Sequence, residues 1–281
     1  DRLDRGVYDA RTWFADASGH LRMAIAVNKD GKRVLMHGAG EEFREILDLE
    51  DPANDFTPLM LSADGSKIYG LAEEGRSQRD LVEFDVAQAK VVRTVFSQPG
   101  VDVISPLRDV RGDLVGASYY RDGLLFSHYF DDRNTTLAER LRKAFPDRAA
   151  PIMQRARSER HSLVAGGGSD MPTAVYHFDA QASRAALISE TRPWLAKCRF
   201  APTRPVSAKS RDGFEIEAYL TLPEARGTKQ PLVVFPHGGP IGVRDSRYFD
   251  PDVQFLAAQG YAVLQANFRG SEGFGTAFRE A

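Results

Sequence analysis

Pro231-Leu232-Val233-Val234-Phe235-Pro236-His237-Gly238-Gly239-Pro240 is the stretch from which the chain is best read. A short β-favouring apolar run that ends in turn residues is expected to be a strand buried on both faces of a sheet. The paired glycines behind it allow the backbone to come close to a ligand and to turn its N–H groups toward it.

The residues that follow define the context of that strand. Asp250 before Pro251 is a helix start, with Asp as the cap and Pro in the first turn. The helix is expected over Asp252-Val253-Gln254-Phe255-Leu256-Ala257-Ala258-Gln259, and Gly260 ends it. Tyr261-Ala262-Val263-Leu264-Gln265-Ala266 reads as the next buried strand. Strand, helix and strand in so short a span imply a parallel βαβ unit with a right-handed crossover. The loop Asn267-Phe268-Arg269-Gly270-Ser271-Glu272-Gly273-Phe274-Gly275 then falls at the carboxyl edge of the second strand, where open α/β sheets bind ligands. Upstream, Ala201-Pro202-Thr203-Arg204-Pro205 reads as a linker. Ser210-Arg211-Asp212-Gly213 is a hairpin turn, and Phe214 to Leu222 alternates as a half-exposed edge strand would.

The first 200 residues carry a repeat. Polar turns opening short strands occur at Asp16-Ala17-Ser18-Gly19, Ser62-Ala63-Asp64-Gly65 and Asp109-Val110-Arg111-Gly112, with a weaker copy at Arg157-Ser158-Glu159-Arg160. Their spacing of about 46 to 48 residues is that of propeller blades. A second strand follows each turn, at Arg33-Val34-Leu35-Met36, Leu81 to Asp85, Leu124 to Tyr129 and Ala174 to Asp179. Four-stranded blades stacked on their neighbours are the expected architecture, with a β-sandwich as the competing one. One helix interrupts the pattern. Thr136-Leu137-Ala138-Glu139 reads as a capping box, Leu137, Leu141, Ala144 and Phe145 share a face, and Pro146 stops it.

Composition bounds the function. The 281 residues suffice for two domains, and a formal net charge of −2 leaves no basic footprint for nucleic acid. No apolar run approaches the length of a membrane span. A lone cysteine, Cys198, excludes an internal disulfide framework and leaves the compartment open between cytoplasm and periplasm. No metal-ligand spacing and no phosphate loop is present, so no cofactor is expected. The chain opens on Asp1 and closes on Ala281 inside what reads as a new amphipathic segment, so it is expected to be an internal piece of a longer protein.

Residues 210–281 closely resemble the opening of the catalytic domain of the prolyl oligopeptidase family of serine peptidases, in its acylaminoacyl-peptidase and dipeptidyl-peptidase branch. The resemblance rests on Ser210-Arg211-Asp212-Gly213, His237-Gly238-Gly239-Pro240, Arg244-Asp245, Gln254-Phe255-Leu256-Ala257, Gly260-Tyr261-Ala262-Val263-Leu264 and Asn267-Phe268-Arg269-Gly270-Ser271 with Gly273 and Gly275, in that order. It implies a partial β-propeller over residues 1–200, followed by the N-terminal part of an α/β-hydrolase domain over residues 201–281. It also implies hydrolysis of short peptides, with aminoacyl, acylaminoacyl or dipeptidyl release, behind a propeller that filters substrates by size. An esterase or other acyl hydrolase on the same fold and a non-catalytic propeller that binds protein partners are the competing readings.

An α/β-hydrolase builds half of its oxyanion hole in the loop after its third strand and carries its nucleophile in G-x-S-x-G. Gly239, with Gly238, is the expected oxyanion element. Gly167-Gly168-Ser169-Asp170-Met171 lacks the closing glycine, and Ser271 has Arg269 two positions before it, so neither is that elbow. The catalytic Ser, Asp and His are expected after Ala281, with none in this chain. His237 precedes any nucleophile and is expected to shape its loop rather than to act as base. Arg244 and Tyr248 are candidate substrate contacts; for Arg244 an ion pair with Asp245 or Asp250 is the alternative. Arg269 is expected to tie its loop to a carboxylate. The expected partners are a short peptide and the remainder of the hydrolase domain, and a homo-oligomer is left open.

Overall fold

The computed structural model describes residues 9–39, 42–73, 75–146, 148–224, 229–239 and 241–281. Pro240, the last residue of the motif quoted first, lies outside the described residues, as does Asp1. Contacts divide the chain into two compact units, Asp1–Ser118 and Tyr119–Ala281.

The first unit is built of antiparallel meanders. β1 (Asp9–Ala15), β2 (Leu21–Val27), β3 (Arg33–Ala39) and β4 (Glu42–Asp48) form one sheet in sequence order, and β5 (Thr57–Leu61), β6 (Lys67–Ala72), β7 (Asp80–Asp85) and β8 (Lys90–Phe96) form the next. A third sheet has only three strands, in the order β11-β10-β9, where β9 is Val103–Arg108, β10 Leu114–Arg121 and β11 Leu124–Tyr129. The division into units falls within β10.

The repeated turn is one structure used four times. Gly19 N–H donates to Asp16 O, Gly65 to Ser62 O, Gly112 to Asp109 O and Glu159 to Ala156 O. In the first and third copies the Asp side chain closes the turn as well, accepting from Ser18 and His20 N–H and from Arg111 and Asp113 N–H. The first three copies place glycine at the left-handed position, with φ of 83°, 75° and 90°. The fourth puts Glu159 there at φ 58°, a conformation unfavourable for an L side chain. This substitution makes the fourth copy weak in sequence. Ion pairs from the Glu159 carboxylate to Arg133 and Arg155 hold that turn instead.

Adjacent sheets of the first unit share their cores, as blades that cannot bury both faces alone must. Met23 and Leu35 of the first sheet join Phe56, Leu61, Ile68, Val82 and Phe84 of the second, where the Phe56 and Phe84 rings stack at 4.8 Å. Leu71 and Leu81 of the second pack with Val103 and Ala117 of the third.

The second unit begins at Tyr119 in β10 and continues with β11 and α1 (Asp132–Ala144), which follows β11 where the other meanders have a fourth strand. The helix starts earlier than the expected Thr136 capping box. Asp131 is the cap, accepting from Asn134 N–H, because an Asp in extended backbone just ahead of the first turn satisfies its free donors. The expected apolar face is present, with Leu137, Leu141 and Phe145 buried against Val164 and Phe178. The last meander comprises β12 (Ile152–Arg155), β13 (His161–Gly168), β14 (Met171–Asp179) and β15 (Arg184–Glu190).

The chain then changes topology. β16 (Thr203–Lys209), β17 (Glu215–Thr221), β18 (Leu232–Val234) and β19 (Ala262–Ala266) form a sheet in the order β16-β17-β19-β18. The proline-containing stretch expected to be a linker is largely β16, an edge strand that tolerates Pro205 because its outer donors need no partner. β17 is therefore interior, not the expected edge strand, and it pairs with β16 through the Ser210-Arg211-Asp212-Gly213 turn. β18 pairs parallel to β19 across α2 (Pro251–Ala258), the expected βαβ unit. Asp250 caps α2, accepting from Asp252 and Val253 N–H. β18 is not buried on both faces: Leu232 and Val234 are 56% and 58% exposed on the sheet edge.

Candidate active site

The loop leaving β18 continues the parallel ladder for one residue, through Phe235 N–H to Leu264 O, and then turns at His237-Gly238-Gly239. The His237 ring stacks on Phe268 at 4.4 Å, and its Nδ1 and Nε2 lie 2.8 Å from Gly238 O and 2.7 Å from Ser271 Oγ. A carbonyl can only accept, so Nδ1 carries the proton and Nε2 accepts from the Ser271 hydroxyl. Both nitrogens are therefore engaged in fixing the loop, and Ser271 is fully buried beneath it. This matches the expected shaping role of His237.

Gly238 and Gly239 are exposed. Gly239 adopts φ 126°, and a Cβ there would stand 3.0 Å from Val243 Cγ2. Among the described residues neither amide donates to a backbone carbonyl. The loop is held from behind: Gly242 N–H donates to Gly270 O, Glu272 N–H to Val243 O, and Asp245 N–H to the Asn267 side chain at 2.8 Å. The two glycine-rich segments at the carboxyl edge thus form one layer with the Gly238-Gly239 amides on its surface.

Arg244 anchors this layer from inside. Its side chain is only 7% exposed, and Nη2 lies 3.0 Å from both Glu217 Oε1 and the Tyr219 hydroxyl. The guanidinium sits over the rings of Tyr120 at 4.3 Å and Phe274 at 4.6 Å. Its ion-pair partner is Glu217, not the expected Asp245 or Asp250, because the loop turns the side chain toward β17. Gly273, at φ 96°, leaves room for it: a Cβ there would stand 2.5 Å from Arg244 Nη1. The Tyr219 hydroxyl donates to Glu217, and burial pushes the phenol well above its usual range.

Asp245 is next to this cluster. Burial raises its carboxyl, Gln265 donates to Oδ1 at 3.2 Å, and Oδ2 has no hydrogen-bond partner among the described residues. The Tyr248 hydroxyl accepts from Leu125 N–H at 3.3 Å, and burial raises its phenol too. Arg269 pairs with Asp212 in the β16–β17 turn, as expected of a loop tie.

Three residues central to this arrangement had no role in the reading of the sequence. Glu217 and Tyr219 looked like ordinary alternating positions of a strand. Tyr120 lies in a blade strand, and nothing local marks it as the platform for an arginine more than a hundred residues on. Gln254 was read only as part of the expected helix and of the family resemblance, and the structure gives it a further role. It is buried on α2, donates to Ser169 O and Ala201 O and accepts from Ala201 N–H, tying the β13–β14 turn to the entry of β16. Among the described residues no cluster of three or more His, Cys, Asp or Glu could hold a metal.

Residues 247–281 match the sequence profile of the prolyl oligopeptidase family. Over 96% of its length the chain is 32% identical to dipeptidyl aminopeptidase BIII of Pseudoxanthomonas mexicana, of which it covers 40%. Over 94% it is 33% identical to dipeptidyl peptidase family member 6 of Caenorhabditis elegans, again covering 40%. Among solved structures, a Mycobacterium tuberculosis puromycin-hydrolyzing peptidase superposes with a TM-score of 0.63 at 20% identity, covering 97% of this chain and 44% of that one. Pyrococcus horikoshii acylaminoacyl peptidase superposes with a TM-score of 0.61 at 18% identity, covering 92% and 40%. The fold is that of these neighbours, propeller blades followed by the opening of an α/β-hydrolase sheet. Spanning about two fifths of the length of the curated relatives it matches, the chain is similar to members of the prolyl oligopeptidase family, whose own profile it matches over residues 247–281.

Proposed function

We propose that this chain is the blade-to-hydrolase portion of a serine peptidase that releases aminoacyl, acylaminoacyl or dipeptidyl units from short peptides. Residues 1–200 supply propeller blades, and residues 201–281 open the hydrolase sheet. Supporting that boundary, every sheet up to β15 is a meander of consecutive antiparallel strands, and the first parallel pair is β18–β19.

One observation carries the reading: exposed Gly238 and Gly239 amides, without backbone partners among the described residues, at the carboxyl end of the third strand of an α/β sheet. Attack of a serine on a peptide carbonyl places negative charge on the carbonyl oxygen. A preorganised amide at Gly239 would donate to that oxygen as the charge develops. The Ser, Asp and His of the triad lie outside these 281 residues. The exposed apolar edge of β18 supports this arrangement, because an uncovered edge strand of Leu and Val is a liability that further strands relieve. The names of the relatives and neighbours favour peptide over simple ester substrates.

The test is covalent labelling by a fluorophosphonate. The full-length protein is expected to react and the 281-residue chain to remain unlabelled; labelling of the latter at any serine overturns the assignment. In the full-length protein, Gly239→Ala is expected to lower kcat by about 10²–10³ with little change in KM, since a Cβ at φ 126° and 3.0 Å from Val243 Cγ2 forces the loop to move and misplaces the amide that acts on the transition state. An unchanged kcat would remove Gly239 from the oxyanion hole.

A further inference from the structure

A cavity of about 210 Å³ lies within the second unit, between β11, the last turns of α1 and residues 148–152, and Arg247 from the loop that carries Gly238-Gly239 closes one side. Its walls are apolar, with Leu124, Leu125, Phe126, Leu141 and Ile152 among them. Its polar lining is dominated by guanidinium groups. Arg121 lies over the Phe126 ring at 4.0 Å with a hydrogen bond to the Tyr119 hydroxyl, and Arg142 faces the same ring at 5.8 Å. Arg148 is paired with Asp170. Among the described residues Arg121, Arg142 and Arg247 have no carboxylate partner, and the buried Nε of Arg247 has no acceptor. Among the described residues Asp122 is the one carboxylate on the lining.

Three like charges gathered on one apolar cavity repel one another, weakly where Arg121 and Arg142 are exposed to solvent, and the buried N–H of Arg247 without an acceptor is costly. Both are relieved by an anion with an apolar body. We propose that this cavity binds the free α-carboxylate and apolar side chain of the C-terminal residue of a short peptide, with Arg121, Arg142 and Arg247 on the carboxylate and Phe126 and Leu141 on the side chain. Arginine suits the task because its planar fork matches a carboxylate in two hydrogen bonds. The assignment rests on the peptidase reading and deepens it. Arg247 follows Gly239 in one loop and is fixed to the cavity wall by its own N–H to Gly123 O at 2.7 Å, so carboxylate binding and amide positioning share one segment. Such an enzyme prefers peptides that end near the site over internal segments of long chains.

The experiment compares a tripeptide ending in leucine with the same peptide as its C-terminal amide, using full-length protein. The free acid is expected to be preferred by about tenfold or more in kcat/KM, through KM. Arg142→Met is expected to abolish that preference by lowering kcat/KM of the free acid toward that of the amide, and Arg142→Lys to restore part of it. Equal turnover of acid and amide, or a preference that survives both Arg142→Met and Arg121→Met, overturns the proposal. Calorimetry with N-acetyl-leucine, N-acetyl-leucinamide and inorganic phosphate separates this outcome from failure of the peptidase reading. Binding of N-acetyl-leucine that Arg142→Met weakens supports the cavity even if no peptide is cleaved. Binding of phosphate as tight as that of N-acetyl-leucine, or no binding of N-acetyl-leucine, refutes it.

Discussion

Replacing Arg244 by leucine tests whether the candidate site is held by the buried arginine described above. The substitution keeps an apolar stem between the Tyr120 and Phe274 rings but removes the charge. Glu217 loses its ion pair, the Tyr219 hydroxyl loses a donor, and two ring contacts with a cation disappear. Breaking a buried ion pair from one side costs about 3–5 kcal/mol. Glu217 retains 30% exposure and can recover some hydration, which places the expectation at the lower end, about 3 kcal/mol. The direct coupling between the two side chains, from a cycle with Glu217→Gln, should be about 1.5–3 kcal/mol, the range for a hydrogen bond to a charged group. Urea unfolding followed by far-ultraviolet circular dichroism measures both quantities. A loss below about 1 kcal/mol for Arg244→Leu, or strict additivity with Glu217→Gln, would refute the claim that this pair anchors the loop layer.

Three further expectations can be checked separately. Gln254→Leu preserves volume but strands Ser169 O and both backbone groups of Ala201, and it should cost about 2–4 kcal/mol in the same unfolding assay. Asp64 is held down to about 2 by the Ser66 N–H and by the Ser62 and Ser66 hydroxyls. Its folded value lies below the unfolded one, so its contribution is present above the unfolded pKa and is lost as pH falls from roughly 4 through about 2; Asp64→Asn should flatten that acid limb in a pH-melting series, and an unchanged profile would show the turn to be unimportant. Val234→Lys, on the exposed edge of β18, should reduce concentration-dependent light scattering by the 281-residue chain, because a charge on an apolar edge disfavours strand addition.

Much of the fold was legible because its determinants are local. An Asx or Ser turn followed by glycine specifies a hairpin wherever it occurs, so the blade repeat could be read from Asp16, Ser62 and Asp109. The fourth copy became faint where Glu159 replaced glycine and ion pairs took over. Asp250-Pro251 and Gly260 delimited α2 correctly, since capping satisfies donors within one turn. The start of α1 was misplaced because Thr136 begins a capping-box pattern that the chain does not use, whereas Asp131, five residues earlier, caps the helix by accepting from Asn134 N–H.

Strand order and side-chain direction belong to the tertiary structure. Sequence alone marked Gly238-Gly239 as a loop able to present amides, because glycine there is a statement about the backbone. It did not determine that β18 would lie on the edge of its sheet, that β17 would be interior, or that Arg244 would turn from Asp245 and Asp250 toward Glu217. Those outcomes depend on which distant segments meet: β19 inserts between β17 and β18, and Tyr120, from a blade strand, supplies a ring for an arginine of the hydrolase loop. A charged side chain in a low-dielectric interior takes the partner that folding brings within reach, and sequence distance has no bearing on that choice.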